Sequence, residues 1–257
     1  MCGIFGAINF NGSQIDQAKV IAARDCMAHR GPDDSGLYLS EDKTAALAHR
    51  RLSIIDLSPL GHQPMTSEDG RFTIVHNGEI YNYLEICQKS EVKSQKFRSK
   101  SDTEVLLKLF ANLGAECLNH LRGMFAFAVW DEKEKKLFAA RDRFGIKPFY
   151  YLMDNTSFAF SSELKAIKNY KKNLSISQNG LYSFLRNGSI TPPFTIYENV
   201  YSLLPGHYLT VDRDGKIEIT KYWWFGDCLT SKVKCQKLVL FITKRQKKKF
   251  IPPFSTP

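Results

Sequence analysis

Short apolar runs separated by polar turns recur along most of this chain, and a pattern of that kind is buried by stacking sheets and helices in layers. Residues 4–10 form the first run, broken at the turn signal Asn11-Gly12, so the chain opens with a strand and Cys2 lies at its start. Residues 37–55 carry several more, and 72–75 form a β-rich run that delivers His76-Asn77-Gly78. Residues 124–130, 136–141, 148–151 and 157–160 follow as closely spaced strands, with the charged stretch 131–135 as a hairpin connection. Between them, residues 15–27 carry apolar side chains at mixed helical spacing and end at Gly31-Pro32. The clearest helix begins at Ser101, where Ser101 and Glu104 have the capping-box spacing. Val105, Leu106, Leu109, Phe110 and Leu113 then make one apolar face before Gly114, with Asp102 in the first turn. Strands, helices and strands in this order predict a layered α+β architecture.

The 257 residues, 43% of them hydrophobic, suffice for the core of one large domain or two small ones. After Ile167 the signal weakens through the polar residues 169–173, Thr191-Pro192-Pro193 and Leu204-Pro205-Gly206, which places a domain boundary near 168 and reads 169–223 as a linking or wrapping segment. From Trp224 the composition changes to Lys clusters and Pro252-Pro253 without an amphipathic pattern, so 224–257 is expected to be a disordered basic tail. That tail explains the formal charge of +10, because from Cys228 onward there are eight Lys or Arg and no Asp or Glu; ten less eight leaves the body at +2. A nearly balanced body argues against nucleic acid as a partner, and a surface binder acting through Lys232 to Lys249 is the weakest reading. No apolar stretch approaches the length of a membrane span, and no leader pattern is present. The six cysteines (Cys2, Cys26, Cys87, Cys117, Cys228, Cys235) lie far apart with no C-x-x-C pair, which predicts reduced thiols, no metal site and residence in the cytoplasm.

Cys2 directly follows the initiator Met, and its small size permits Met1 to be removed, leaving a thiol and a free α-amine in one residue. An α-amine of ordinary pKa, near 7.7 to 8.0, can accept the thiol proton at neutral pH, and the thiolate is the competent nucleophile. Taken alone, Cys2 reads first as a small buried hydrophobe next to the start codon. Asn77-Gly78, taken alone, reads as an ordinary turn between strands.

Other blocks of sequence change both readings. Cys2-Gly-Ile-Phe-Gly is followed by His29-Arg30-Gly31-Pro32-Asp33-Asp34-Ser35-Gly36, Arg51-Leu52-Ser53-Ile54-Ile55-Asp56, His76-Asn77-Gly78-Glu79-Ile80-Tyr81-Asn82 and Ser101-Asp102-Thr103-Glu104. Arg122 to Phe127, Arg141 to Pro148, Ser162 to Ala166 and Leu204 to His207 continue the series. In order and spacing, residues 2–223 resemble the glutaminase half of asparagine synthetases, a class II glutamine amidotransferase domain. The resemblance implies an N-terminal-nucleophile hydrolase fold, four αββα layers with two stacked sheets, over 2–168. It implies L-glutamine as substrate, hydrolysed to glutamate and ammonia through a Cys2 thioester. Asn77 and the Gly78 N–H are then the oxyanion hole, Arg51 the cation for the α-carboxylate and Asp102 the anion for the α-amine, with Leu52, Ile55 and Glu79 shaping the pocket. Arg50 beside Arg51 leaves open which guanidinium reaches the pocket; the resemblance points to Arg51. Asp102 has a competing reading as a helix first-turn acid. Arg30, Asp33 and Asp34 read as structural, and the charges from Arg141 to Lys147 as a solvated turn or a surface facing a partner domain.

The glutaminase reaction implies no cofactor. ATP and Mg belong to the synthetase domain, whose Ser-Gly-Gly-x-Asp-Ser loop is absent from this sequence, so the expectation is a truncated module that makes no asparagine. A homodimer or a contact with a synthetase domain is the expected partnership. The alternative is a catalytically silent fragment or glutamine-binding module.

Overall fold

A computed structural model describes residues 1–89 and 96–226. Its strands, in chain order, are β1 (Gly3–Asn9), β2 (Asp34–Leu39), β3 (Ala45–Arg51), β4 (Met65–Thr66), β5 (Phe72–Ile80) and β6 (Gly123–Asp131). They continue with β7 (Lys136–Arg141), β8 (Tyr150–Met153), β9 (Ser157–Ser161), β10 (Val200–Ser202), β11 (His207–Val211) and β12 (Ile217–Lys221). The helices are α1 (Gln17–Asp25), α2 (Tyr83–Cys87), α3 (Asp102–Leu113), α4 (Cys117–His120), α5 (Leu164–Tyr170) and α6 (Gln178–Asn187). Two antiparallel six-stranded sheets result, in the orders β10-β8-β9-β1-β3-β2 and β12-β11-β7-β6-β5-β4.

Side-chain alternation along each strand assigns the layers. In β1, Ile4 and Ile8 enter the space between the sheets with Leu47, Val75, Ala126, Ala128 and Trp130. Phe5 and Ala7 turn to the other face, beneath Val20 and Ala23 of α1 and Ala166 of α5. In β5 and β6, Ile74, Ile80, Phe125, Phe127 and Val129 face Val105, Leu106, Leu109 and Phe110 of α3. The order is helix, sheet, sheet, helix. Alanines on the inner faces let the sheets approach, and each fully buried Phe or Ile contributes about 1.5–3 kcal/mol.

Helix α3 starts and stops where the sequence predicts, with the Ser101 side chain accepting from the Thr103 N–H and Gly114 at its end. The reciprocal Ser101–Glu104 pair of the expected capping box does not form. Glu104 reaches past Ser101 and takes the N–H groups of Arg98 and Ser99 at 2.7 to 3.1 Å, fastening the chain that leads into the helix. No structural division falls at the expected boundary near 168: α5 runs across it, and residues 1–222 form one compact unit. Strand β10 pairs with β8 on the first sheet, and β11 pairs with β7 on the second, so the segment read as a linker completes both sheets. Trp223 begins a second unit, within which the rings of Trp223 and Phe225 lie 6.5 Å apart. The expected disordered tail lies almost wholly outside the described residues, as do Cys228, Cys235 and Lys232 to Lys249. Among the described residues no helix is long and apolar enough to cross a membrane.

Candidate active site

Cys2 sits just ahead of β1, and its backbone is fixed from two sides. The Arg30 Nε donates to the Cys2 carbonyl at 2.8 Å, and Ser162 brackets Ile4 through its hydroxyl and its N–H, both at 3.0 Å. Arg30, expected to be merely structural, is therefore the clamp on the residue bearing the thiol; its Nη1 is in turn held by Glu163 at 3.2 Å. The Cys2 Sγ lies 3.4 Å from the Leu52 N–H and 3.7 Å from the Leu52 carbonyl. Burial pushes the thiol above its ordinary value, opposed by the Leu52 backbone, the amino terminus and Arg51.

The sulfur opens on a cleft of about 190 Å³ that also collects Arg51, Leu52, Ile55, Asn77, Gly78, Glu79 and Asp102, every position singled out from the sequence. Strand geometry selects between the adjacent arginines. Arg51 turns into the cleft, whereas Arg50, on the opposite face of β3, donates to the Gly31 carbonyl at 3.0 Å and approaches Asp25 at 3.5 Å. The Arg51 guanidinium is held by the carbonyls of Asp56 and, at 3.1 Å, Ser58, and a side chain on Gly61 would stand 2.1 Å from its Nη2. Each terminal nitrogen keeps a second N–H. Asp56 ties this loop to the start of α3: its Oδ1 accepts from Ser58 and its Oδ2 from Lys100, both at 2.9 Å, and these bonds hold its carboxyl below the usual range.

Asn77 and Gly78 are not in a turn. They lie inside β5, paired with Ala126 and Phe125 of β6. Asn77 is 1% exposed, and neither its Oδ1 nor its Nδ2 has a hydrogen-bond partner among the described residues. Such an orphaned amide is costly in a folded interior, and it faces the cleft that holds the Cys2 sulfur. A Cβ on Gly78 would meet the Met124 carbonyl at 2.2 Å and the Phe125 Cα at 2.7 Å, so any other residue would force β6 away. Asp102, on the first turn of α3, uses Oδ2 to accept the Ile80 N–H at 2.9 Å; the other oxygen has no partner among the described residues.

Further groups complete the cleft. His76 donates to or accepts from Thr103 Oγ1 through Nδ1 at 3.2 Å, its Nε2 has no partner among the described residues, and burial pushes its pKa below the ordinary value. Gln63 joins the His76 N–H at 2.6 Å to Thr103 at 3.2 Å. Lys147 also lines the cleft and is 5% exposed. The expectation of a solvated turn at 141–147 fails on this residue and on Asp142, which is fully buried. Asp142 folds the turn around itself, accepting from Phe144 and Ile146 on Oδ1 and from Lys147 on Oδ2, all at 3.0 Å, so that only Phe144 and Ile146 point outward. His76, Thr103 and Lys147 lie within sequence blocks already picked out, but their charge and size gave no sign of which way they face.

Residues 1–223 match the family model described as a glutamine amidotransferase domain. The chain is 39% identical to a putative glutamine-hydrolysing asparagine synthetase of Methanocaldococcus jannaschii, matching over 88% of this chain and 46% of that protein. It is likewise 39% identical to a glutamine-hydrolysing asparagine synthetase of Bacillus subtilis, over 87% of this chain and 36% of the relative. The chain thus spans less than half the length of these relatives. Among solved structures, the glutamine phosphoribosylpyrophosphate amidotransferase of B. subtilis superposes with a TM-score of 0.65 at 19% identity, covering 86% of this chain and 49% of that one. That likeness, with the two stacked sheets between helices, shows the N-terminal-nucleophile hydrolase fold. By its family match over residues 1–223 and its likeness to the glutamine-hydrolysing asparagine synthetases, this chain belongs to the glutamine amidotransferases.

Proposed function

We propose that this chain hydrolyses the side-chain amide of L-glutamine to glutamate and ammonia, with Cys2 as nucleophile. The observation that carries the reading is the Asn77 amide, buried in the same cleft as the Cys2 sulfur and without a partner among the described residues. Removal of Met1 frees the Cys2 α-amine, which takes the thiol proton. The sulfur bonds to the amide carbon, and negative charge gathers on the amide oxygen, where the Asn77 Nδ2 and the Gly78 N–H donate to it. The tetrahedral intermediate collapses as the C–N bond breaks, the amine returns its proton to the leaving nitrogen, and ammonia departs. Water then attacks the thioester, releasing glutamate and restoring the thiol. The remaining Arg51 N–H groups grip the α-carboxylate and the unpaired Asp102 oxygen takes the α-ammonium, while Leu52, Ile55 and Glu79 shape the space between.

In a longer protein of this family the ammonia would pass to a carboxylate activated by ATP with Mg, the chemistry that the resemblance to asparagine synthetases implies for the part of the relatives not matched here. A thiol nucleophile and free Cys26, Cys87 and Cys117 suit a reducing compartment such as the cytoplasm. The test is ammonia release from glutamine by chain whose mature N-terminus has been verified by mass spectrometry. Cys2→Ala is expected to abolish it. Equal turnover in wild type and Cys2→Ala would end the proposal.

A further inference from the structure

Lys147 is a nearly buried cation with no hydrogen-bonded or ion-paired partner for its ammonium among the described residues. It is 5% exposed and lines the cleft. The other cations near Cys2 are committed: Arg51 to the carbonyls of Asp56 and Ser58, Arg30 to the Cys2 carbonyl and Glu163. Asp142, the carboxylate nearest in sequence, spends its oxygens on the N–H groups of Phe125, Phe144, Ile146 and Lys147 itself. A buried lysine left unpaired is costly unless its charge serves something that enters or forms beside it.

What forms beside it is charge on Cys2. Burial, and after it Arg30, pull the Lys147 ammonium below its ordinary value, while the Cys2 sulfur, Asp142 and Glu79 pull it back up. The charged and titratable groups that act on Cys2, His76 and Lys147 from the surrounding elements are the amino terminus, Arg30, Arg51, Glu79, Asp102 and Asp142, with His76 itself among those that line the cleft. His76 is held towards its neutral form by burial, and its proton affinity is lowered further by Lys147. We propose that Lys147 is an electrostatic positioning residue, a fixed cation that favours the anionic Cys2 sulfur and the uncharged Cys2 α-amine at neutral pH. One charge does both, because a nearby cation stabilises an anion and opposes protonation of an amine. On the sulfur itself burial is opposed by the Leu52 backbone, the amino terminus and Arg51, and the interaction between Lys147 and Cys2 adds to them. The inference rests on the reading of Cys2 as the nucleophile and deepens it.

Alkylation of Cys2 by iodoacetamide in the mature chain, followed on the Cys2 peptide by mass spectrometry across pH, reads the thiolate fraction whether or not glutamine is hydrolysed. Lys147→Met keeps the unbranched stem and removes the charge. It is expected to move the alkylation midpoint up by about one pH unit, a roughly tenfold slower reaction below the midpoint. The acid limb of kcat/KM for glutamine should move up with it, and Lys147→Arg should restore both. A folded Lys147→Met chain of lower activity but unmoved alkylation midpoint would overturn the proposal. Should that variant fail to fold by circular dichroism, Lys147→Gln carries the same expectation. Failure of the underlying reading looks different: wild-type chain would then release no ammonia, while its alkylation profile could still respond to Lys147.

Discussion

At the scale of single residues, the cleft is defined by polar groups without partners among the described residues: both ends of the buried Asn77 amide, one oxygen of Asp102 and the Lys147 ammonium. An interior built only for stability would pair or replace them. Function and stability should therefore separate at Asn77. Asn77→Ala is expected to lower kcat by on the order of 10²–10³ while leaving Tm unchanged or slightly raised, since no internal hydrogen bond is lost. Turnover assays and thermal melts on one preparation check this, and a large fall in Tm with kcat intact would show a structural amide instead. That Cys2, Arg51, Asn77, Gly78 and Asp102 would meet in one cleft was an expectation of the family resemblance, carried by sequence blocks of fixed order, and they line one cleft. Lys147 was not legible, because a run such as Arg141-Asp142-Arg143 looks solvated until the turn is known to fold around Asp142.

At the scale of elements, the strands were readable from short apolar runs, but their ends were not. Strand β5 continues through Asn77-Gly78 because β6 supplies a ladder partner far away in sequence, and that pairing is what carries the amide into the cleft. The choice between Arg50 and Arg51 waited on the same information, since alternation along β3 decides it only once the buried face is known. Strand β3 also meets β5 across the sandwich through His49. Its Nε2 must donate to the His76 carbonyl, at 3.0 Å, which leaves Nδ1 bare and without a partner among the described residues. Burial pushes the His49 pKa down to about 3 from 6.5. The unfolded chain therefore binds this proton more readily, so the contribution of neutral His49 is fully present above pH 6.5 and is lost as pH falls towards 3, by about 1 kcal/mol per pH unit. His76, lowered by burial as well, acts with the same sign. Urea unfolding from pH 7 to pH 4 should show this loss, and His49→Gln, which keeps a donor for the carbonyl without a titrating ring, should flatten it. An identical pH slope in the variant would contradict the assignment.

For the whole molecule, the two sheets place the proposed nucleophile and the groups that would receive the developing charge on different layers, Cys2 beside β1 and Asn77 on β5, so the cleft exists only when the sandwich is assembled. The expected division near 168 failed for the same reason. Polar and proline-rich segments between 169 and 222 gave little local signal, yet β10 and β11 find their partners in β8 and β7, which no local pattern records. The layered α+β class was legible and the closure of its edges was not. The claim on which all of this turns is that a processed amino-terminal thiol in this cleft reacts with the side-chain carbonyl of a glutamine-shaped molecule. Mature chain, with Met1 removed, treated with a diazo-ketone analogue of glutamine and measured by intact and peptide mass spectrometry should carry one adduct, on Cys2, whose formation is slowed by excess L-glutamine. Folded mature chain that forms no adduct, or forms it elsewhere and indifferently to glutamine, would contradict the account.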